Sequence, residues 1–318
     1  LPGLGRPLIK LPNSKRTGRI VEKADEEMPL PTKWCVAPMH MLYKCQRLRR
    51  RMRTLRVKSA QFVLQDEGEG DPVLLVSDGG VPGRVWHLHQ VPALLRAGFR
   101  VITFDRDAPP TPESAPGPGP RRGAAELSDL IQQLELAPCR VVGVSHGAEM
   151  IQELLLTRPE LLSHAVLMAT RGRDDLFSEK MADAERDLLA HGTRLPPRYA
   201  AWLRAALNLS PSTWQREEEV LDWLDLFEAS ERAGASSMPT ASDEEPGDRL
   251  QALGQVRVPT LVMGFEHDLI VRPHLCAEVG AALPRGQYAQ IPDCGHYGYL
   301  EQPVRVNQTM LTFFRSCT

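Results

Sequence analysis

Three side chains far apart along the chain have the types that together perform acyl transfer: Ser145, Asp268 and His296. A serine hydroxyl is a weak nucleophile at neutral pH. It attacks a carbonyl only when a base takes its proton and a third group holds that base in one tautomer and orientation. Ser145 lies in Gly143-Val144-Ser145-His146-Gly147, between an apolar run that reads as a buried strand and a run that reads as a helix. At such a junction the chain turns sharply, so the residues two before and two after the serine must be small, and both are glycine. The turn lifts the hydroxyl above the carboxyl ends of the strands, while the helix N-terminus points unpaired amides toward developing negative charge. The backbone N–H of His146 is therefore the expected first donor of an oxyanion hole. The bare pentapeptide also occurs in plain turns, and its strand–turn–helix setting is what gives it weight.

Nine histidines are available as the base. His296 stands out because Asp293-Cys294-Gly295-His296-Tyr297-Gly298 is a turn between a strand-like stretch and the final helix, and glycine on both flanks lets backbone come close to a ligand. A turn histidine without a role is the plainer reading. The side chain of His146 leaves the turn in a different direction from Ser145, and His267 and His274 read as surface or supporting residues. For the acid, Asp268 follows an apolar strand in Gly264-Phe265-Glu266-His267-Asp268, with Pro273 closing the loop. A helix-capping aspartate is its plainer reading. Asp174 or Asp175, after the preceding strand, is the rival, and Glu266 is a weaker neighbour.

The elements needed to position these groups are legible as alternating short apolar runs and helical patterns. Strands are expected at residues 57–65, 73–76, 100–104, 140–144, 165–169, 259–263 and 287–291, with helices ending near Gly98 and over 124–136, 146–157 and 304–314. That alternation predicts a mostly parallel central sheet flanked by helices. Residues 57–170 and 251–318 thus form one α/β core. Between them, 171–250 lose the strand signal and carry Trp202, Trp214 and Trp223 in helical patterns, which predicts a helical lid. Its residues 233–247, poor in apolar side chains, read as a loop. Val81, Trp202 and Trp223 are the expected walls of an apolar substrate pocket, although the same tryptophans would serve to pack the lid onto the core.

Composition bounds the function. With 318 residues, 42% apolar and 25% charged, the chain can bury a full core, and no apolar run approaches the roughly 18 residues of a membrane span. No secretory pattern is visible in the residues given, so a cytoplasmic location is the expectation. Six scattered cysteines show neither zinc nor redox spacing, and reduced thiols are expected. Net charge is −2, yet residues 1–58 carry 15 Lys/Arg against 4 Asp/Glu, a net of +11 that leaves −13 on the rest. Residues 1–56 read as a basic, Pro-rich N-terminal extension, within which 39–56 have the spacing of a basic amphipathic helix. Its suitable partner is acidic: this chain's own acidic remainder or another molecule. Without interleaved aromatics, nucleic acid is not expected. No metal-ligand cluster and no phosphate-cradling loop is seen, so no cofactor is called for.

The order serine, acid, histidine, with its three local contexts, resembles the α/β-hydrolase superfamily over about residues 57–314. The likeness is strongest in 139–170 and in 258–303, where Gly295-His296 followed by Glu301-Gln302-Pro303 is similar to the histidine loop of esterase and haloperoxidase-like members. Residues 83–92 and 167–173 are also similar to hydrolases encoded with actinobacterial polyketide pathways. The resemblance implies an α/β-hydrolase fold with a helical lid, and hydrolysis of a carboxylic ester of an apolar, polyketide-derived substrate. A thioesterase or cofactor-free cyclase using the same pocket is the alternative, and a non-catalytic ligand-binding protein of this fold is another. Two departures stand out. Where relatives carry His-Gly, this chain has Ser77-Asp78-Gly79-Gly80-Val81-Pro82-Gly83, so Gly80, with Gly79 or Val81 as alternatives, is the candidate second oxyanion donor. An inward-pointing Asp78 would weaken that hole. Relatives also tend to show an Asp-x-Arg-Gly turn where Asp105-Arg106-Asp107-Ala108 stands here.

Overall fold

A computed structural model of the chain describes residues 52–58, 60–78, 81–106, 119–233 and 247–316. Gly79 and Gly80, the basic stretch 39–51 and most of the loop at 233–247 lie outside the described residues. So do residues 1–51, the greater part of the basic extension for which an acidic partner is expected.

Fully apolar runs such as residues 141–144 cannot leave either face in water, and they form the interior of an eight-stranded sheet ordered β1-β2-β4-β3-β5-β6-β7-β8. At one edge, β1 (Arg53–Val57) and β2 (Ala60–Glu67) pair antiparallel, and β2 pairs antiparallel with β4 (Arg100–Arg106). From β4 onward every neighbour is parallel, through β3 (Pro72–Val76), β5 (Cys139–Val144), β6 (Leu162–Met168), β7 (Thr260–Phe265) and β8 (Gly286–Ile291). In β3 and β5 every residue but Pro72 is buried, as a two-sided covering requires.

The helices run, in chain order, α1 (Gln90–Arg96), α2 (Pro120–Gln133), α3 (His146–Thr157), α4 (Leu176–Ala190), α5 (Pro197–Asn208), α6 (Pro211–Trp214), α7 (Glu217–Arg232), α8 (Leu250–Leu253), α9 (Pro273–Ala282), α10 (Gly298–Glu301) and α11 (Pro303–Ser316). Helix α2 packs on α3, α9 packs on β7 and β8, and α11 packs on α1 and β8. Helices α4 to α8 all fall between β6 and β7, and α5 packs on α7. Among the described residues no helix is long and apolar enough to cross a membrane. The described cysteines Cys139, Cys276 and Cys294 are buried and free, and burial pushes the Cys139 thiol up to about 12.

Two local expectations need correction at the sheet edge. Residues 53–56 are not the end of a helix, and 57–65 are not one strand. Instead β1 pairs Arg53 with Leu64 and Val57 with Ala60 across a turn that holds Lys58 at φ 52°. Leu55 and Val57 suit helical and alternating spacing equally, and the hydrogen-bond ladder to β2 decides between them. The core therefore begins before residue 57.

The register of the sheet sets the chemistry. Because β5, β7 and β8 are parallel members of one sheet, their carboxyl ends share one rim. Ser145 follows β5, Asp268 follows β7 and His296 follows β8. Leu74, fully buried in β3 beside β5, is part of what holds that rim together. Leu74→Ala is expected to cost about 2–5 kcal/mol in urea unfolding, the range for an aliphatic side chain removed from a core that only partly collapses.

Candidate active site

After Val144 the chain takes φ 53° and ψ −123° at Ser145, and α3 starts at the next residue. For a residue with a Cβ this region costs about 1–3 kcal/mol, so neighbouring contacts must enforce it. The Ser145 N–H donates to the Met168 carbonyl at 2.9 Å, and its own carbonyl accepts from Ala148 at 2.9 Å and Glu149 at 3.1 Å. Space is the other constraint. A Cβ on Gly143 would stand 2.8 Å from the Gly147 backbone, and one on Gly147 would stand 2.5 Å from the carbonyl oxygens of Val76 and Ser77. Strand, helix and neighbouring loop thus touch through backbone, with Ser145 at their meeting point.

On the same rim, His296 Nδ1 lies 2.8 Å from Asp268 Oδ2, with side chains 4% and 0% exposed. The other oxygen of Asp268 accepts the N–H groups of Ile270 and Val271, each at 2.8 Å. A carboxylate held by two amides cannot rotate, so it holds the imidazole in one orientation. Burial alone would push the His296 imidazolium toward losing its proton. The charge and hydrogen bond of Asp268 and, more weakly, the charge of Asp78 outweigh burial and a small opposing push from Arg171, so the net shift is upward from the ordinary 6.5.

The rival acids are engaged elsewhere. Asp174 pairs with Arg171 at 2.7 Å. Asp175 accepts the Ser178 N–H at 3.0 Å at the start of α4 and pairs with Arg272. Glu266 accepts from the Asp293 N–H at 2.9 Å, and His267 and His274 are exposed. Glu266, His267 and Asp293 also form an exposed trio whose ligand atoms lie within 4.8 Å of one another, the arrangement among the described residues that would suit a metal ion. Neither His296 nor Asp268 belongs to it.

Of the expected oxyanion donors, the His146 N–H is taken in this state by Asp78 Oδ1 at 3.3 Å. The Val81 N–H donates to the Asp78 carbonyl at 3.1 Å, so it is engaged there and not free as the alternative donor. Gly83 anchors the far end of this loop. Its N–H donates to Asp105 Oδ1 at 2.5 Å, and a Cβ there would meet the Phe104 carbonyl oxygen at 2.5 Å. Asp105, itself a residue of β4, thereby holds the loop against that strand.

The helical segment reaches the histidine loop through its own side chains. Trp223 is buried and stacks on Tyr297, with centroids 5.7 Å apart and planes 6° from parallel, and Phe227 lies 5.9 Å from the same ring. Arg204 donates to the Tyr297 hydroxyl at 3.0 Å. Trp202 differs from expectation: it is 47% exposed beside Tyr199 and stands outside this ring stack, because its position on α5 turns away from the packed positions Ala201 and Ala205.

Several positioning residues carried no signal in their local sequence. Glu301 Oε1 accepts from the Ser210 N–H at 2.9 Å, the Ser210 hydroxyl at 2.8 Å and the Thr213 hydroxyl at 2.5 Å, while Oε2 accepts the Gly295 N–H at 2.6 Å. One carboxylate so ties the start of α6 to the residue before His296. A Cβ on Gly295 would stand 2.3 Å from the Asn208 carbonyl oxygen, which shows how closely the two segments meet. Arg171 lies 3.7 Å from Glu149, and burial, against a counter-push from Arg171, raises the Glu185 carboxyl to about 7. Glu301 was legible only as part of a family pattern. Asp78 was suspect by its charge, but its direction was not readable.

Two outcomes follow from this geometry. NMR titration of the His296 imidazole is expected to give a pKa above 6.5 in the wild type. Asp268→Asn removes the largest upward cause and leaves burial dominant, so the titration is expected to fall below that value; an unchanged midpoint would contradict the assigned cause. Glu301→Ala is expected to lower unfolding free energy by about 2–3 kcal/mol, with Glu301→Gln losing less, because four donors lose a charged acceptor.

Comparison with known proteins agrees with this architecture. The alpha/beta hydrolase family profile matches residues 73–309. A Mycobacterium tuberculosis protein named as the non-heme bromoperoxidase BpoC is 44% identical over 252 residues, covering 79% of this chain and 96% of that protein. Its crystal structure superposes with a TM-score of 0.74, covering 81% of this chain and 96% of that one. A Pantoea ananatis protein named as the carbamate hydrolase RutD is 27% identical, covering 79% of this chain and 90% of its own. The carboxylesterase YbfK of Bacillus subtilis is 26% identical over 59% of this chain and 61% of its own. On a family profile that spans well over half of its length and a relative of this closeness, the chain belongs to the α/β-hydrolase family.

Proposed function

We propose that the protein is a carboxylic ester hydrolase acting through an acyl-enzyme on Ser145. The observation that carries the reading is the buried 2.8 Å pair of His296 and Asp268 on the rim where Ser145 is held in a strained turn. Strain and burial both cost stability, and their coincidence at three loop residues from three strands is what a reacting centre requires.

In this mechanism the Ser145 hydroxyl attacks the ester carbonyl while His296, through Nε2, takes its proton. Asp268 keeps Nδ1 protonated and stabilises the imidazolium that results. The oxyanion accepts the His146 N–H and a second amide, assigned to Gly80. Each such donor contributes about 10²–10³ in rate because it is aimed at charge that develops only in the transition state. Collapse of the tetrahedral species breaks the carbon–oxygen bond to the leaving alcohol, which receives the proton from His296. Water then repeats the sequence: His296 takes a proton from it, its oxygen bonds to the acyl carbon, and Ser145 leaves with the proton returned.

Residues 171–250 act as the lid. Trp223 and Phe227 pack on Tyr297, whose ring lies 5.9 Å from that of His296, and this apolar cluster beside the base suits a bulky acyl group, of which a polyketide-derived acyl chain is one member. The names of the carboxylesterase and carbamate-hydrolase relatives fit acyl transfer to water. Thioester cleavage, cyclisation and non-catalytic binding have no observation that favours them over it. The role of the basic N-terminal segment is proposed only as contact with an acidic surface.

Turnover of chromogenic esters and labelling by a fluorophosphonate test the reading. Ser145→Ala is expected to abolish labelling and to reduce kcat by about 10⁴-fold or more, with His296→Ala comparably impaired and the double variant little worse, since the groups act as a unit. Labelling that persists in Ser145→Ala would remove this serine from the mechanism.

A further inference from the structure

In the proposed mechanism the first amide after the nucleophile is where an oxyanion on Ser145 is held, since it opens α3 directly after that residue. In this structure a carboxylate of the protein itself is hydrogen-bonded there: Asp78 Oδ1, 3.3 Å from the His146 nitrogen. The Asp78 backbone carbonyl accepts the Val81 N–H at 3.1 Å, while rotation about the side-chain torsions moves the carboxylate relative to the amide. Its charge is also felt at the reacting rim. After burial, which acts on all three, and alongside other neighbours, Asp78 pushes His296, Tyr297 and Tyr299 toward their protonated forms. Among the described residues, Arg171 pairs with Asp174 and lies near Glu149, and Arg204 donates to the Tyr297 hydroxyl and lies over the Phe227 face.

We propose that Asp78 is a specificity-determining residue of this site, whose carboxylate on the His146 amide disfavours neutral acyl substrates and admits those carrying a cationic group, such as an ammonium, close to the scissile carbonyl. The proposal rests on the ester-hydrolase reading above. A neutral ester must displace a charge-assisted hydrogen bond and then develop its own negative charge beside a like charge. An ammonium on the acyl group gives the carboxylate a stronger partner, draws it off the amide and leaves the N–H to the oxyanion. The site thereby couples vacating the hole to recognition of the correct substrate.

The test uses a p-nitrophenyl ester whose acyl chain ends in a trimethylammonium group and its tert-butyl-ended isostere, with the full chain as wild type, Asp78→Asn, Asp78→Ala and Ser145→Ala. Wild type is expected to prefer the cationic ester in kcat/KM by about tenfold or more, and either Asp78 variant to bring the ratio close to one mainly by accelerating the neutral ester. Labelling by a neutral fluorophosphonate is expected to speed up in the Asp78 variants in parallel. A residue that merely supports the loop would slow both esters on substitution, and that outcome overturns the proposal. So does a wild-type ratio near one. Turnover and labelling unaltered in Ser145→Ala would instead sink the underlying serine reading, and this proposal with it.

Discussion

The crowding of backbone around Ser145 is the constraint on which the rest of the site depends. Strand β5, helix α3 and the loop after β3 approach so closely that neither Gly143 nor Gly147 has room for a methyl group, and the residue between them is driven into a left-handed conformation. That turn exists only because β5 is central in a parallel sheet and α3 must return over it. The buried residues of β3, β5 and β6 are therefore part of the site's mechanics, since they hold the strands whose ends set the position of the hydroxyl.

Two carboxylates fix the remaining geometry from opposite sides. Asp268 is pinned by the amides of Ile270 and Val271 and orients the imidazole directly. Glu301 never touches His296; it gathers Ser210, Thr213 and the Gly295 amide, and so clamps the histidine loop to the helical segment that lies between β6 and β7. Through that one carboxylate the helical segment and the loop that carries His296 are held together. The ring stack of Trp223 on Tyr297 adds an apolar contact at the same junction, with Arg204 bridging the two through the Tyr297 hydroxyl and the Phe227 face.

The electrostatics of the rim pull in two directions. Asp268 favours a charged imidazole, which suits the proposed role of His296 as a base that accepts a proton. Asp78 adds to that pull, yet it also occupies an amide that opens a helix and attracts anions. In the proposed acyl transfer, a group that assists the base while competing for the anion site has opposite effects on the two halves of the reaction. Its net effect therefore depends on what the substrate brings to it.

Much of this was readable without coordinates. The strands at 73–76, 140–144 and 287–291 are apolar or bounded by turn residues strongly enough that local pattern and tertiary role agree, and helix 146–157 was bounded by the serine turn itself. The edge hairpin was not readable, since Leu55 and Val57 fit either periodicity and only the ladder to β2 chose. The amino-acid sequence by itself determined which residue types are present and that Ser145, Asp268 and His296 each follow a strand of a mostly parallel sheet. Only the tertiary structure decided that His296 selects Asp268 over Asp174 and Asp175, that Trp202 is exposed while Trp223 is buried, and that Asp78 turns inward to the His146 amide. The physical reason is that strand periodicity is local along the chain, whereas side-chain direction is set by contacts with segments tens to hundreds of residues away.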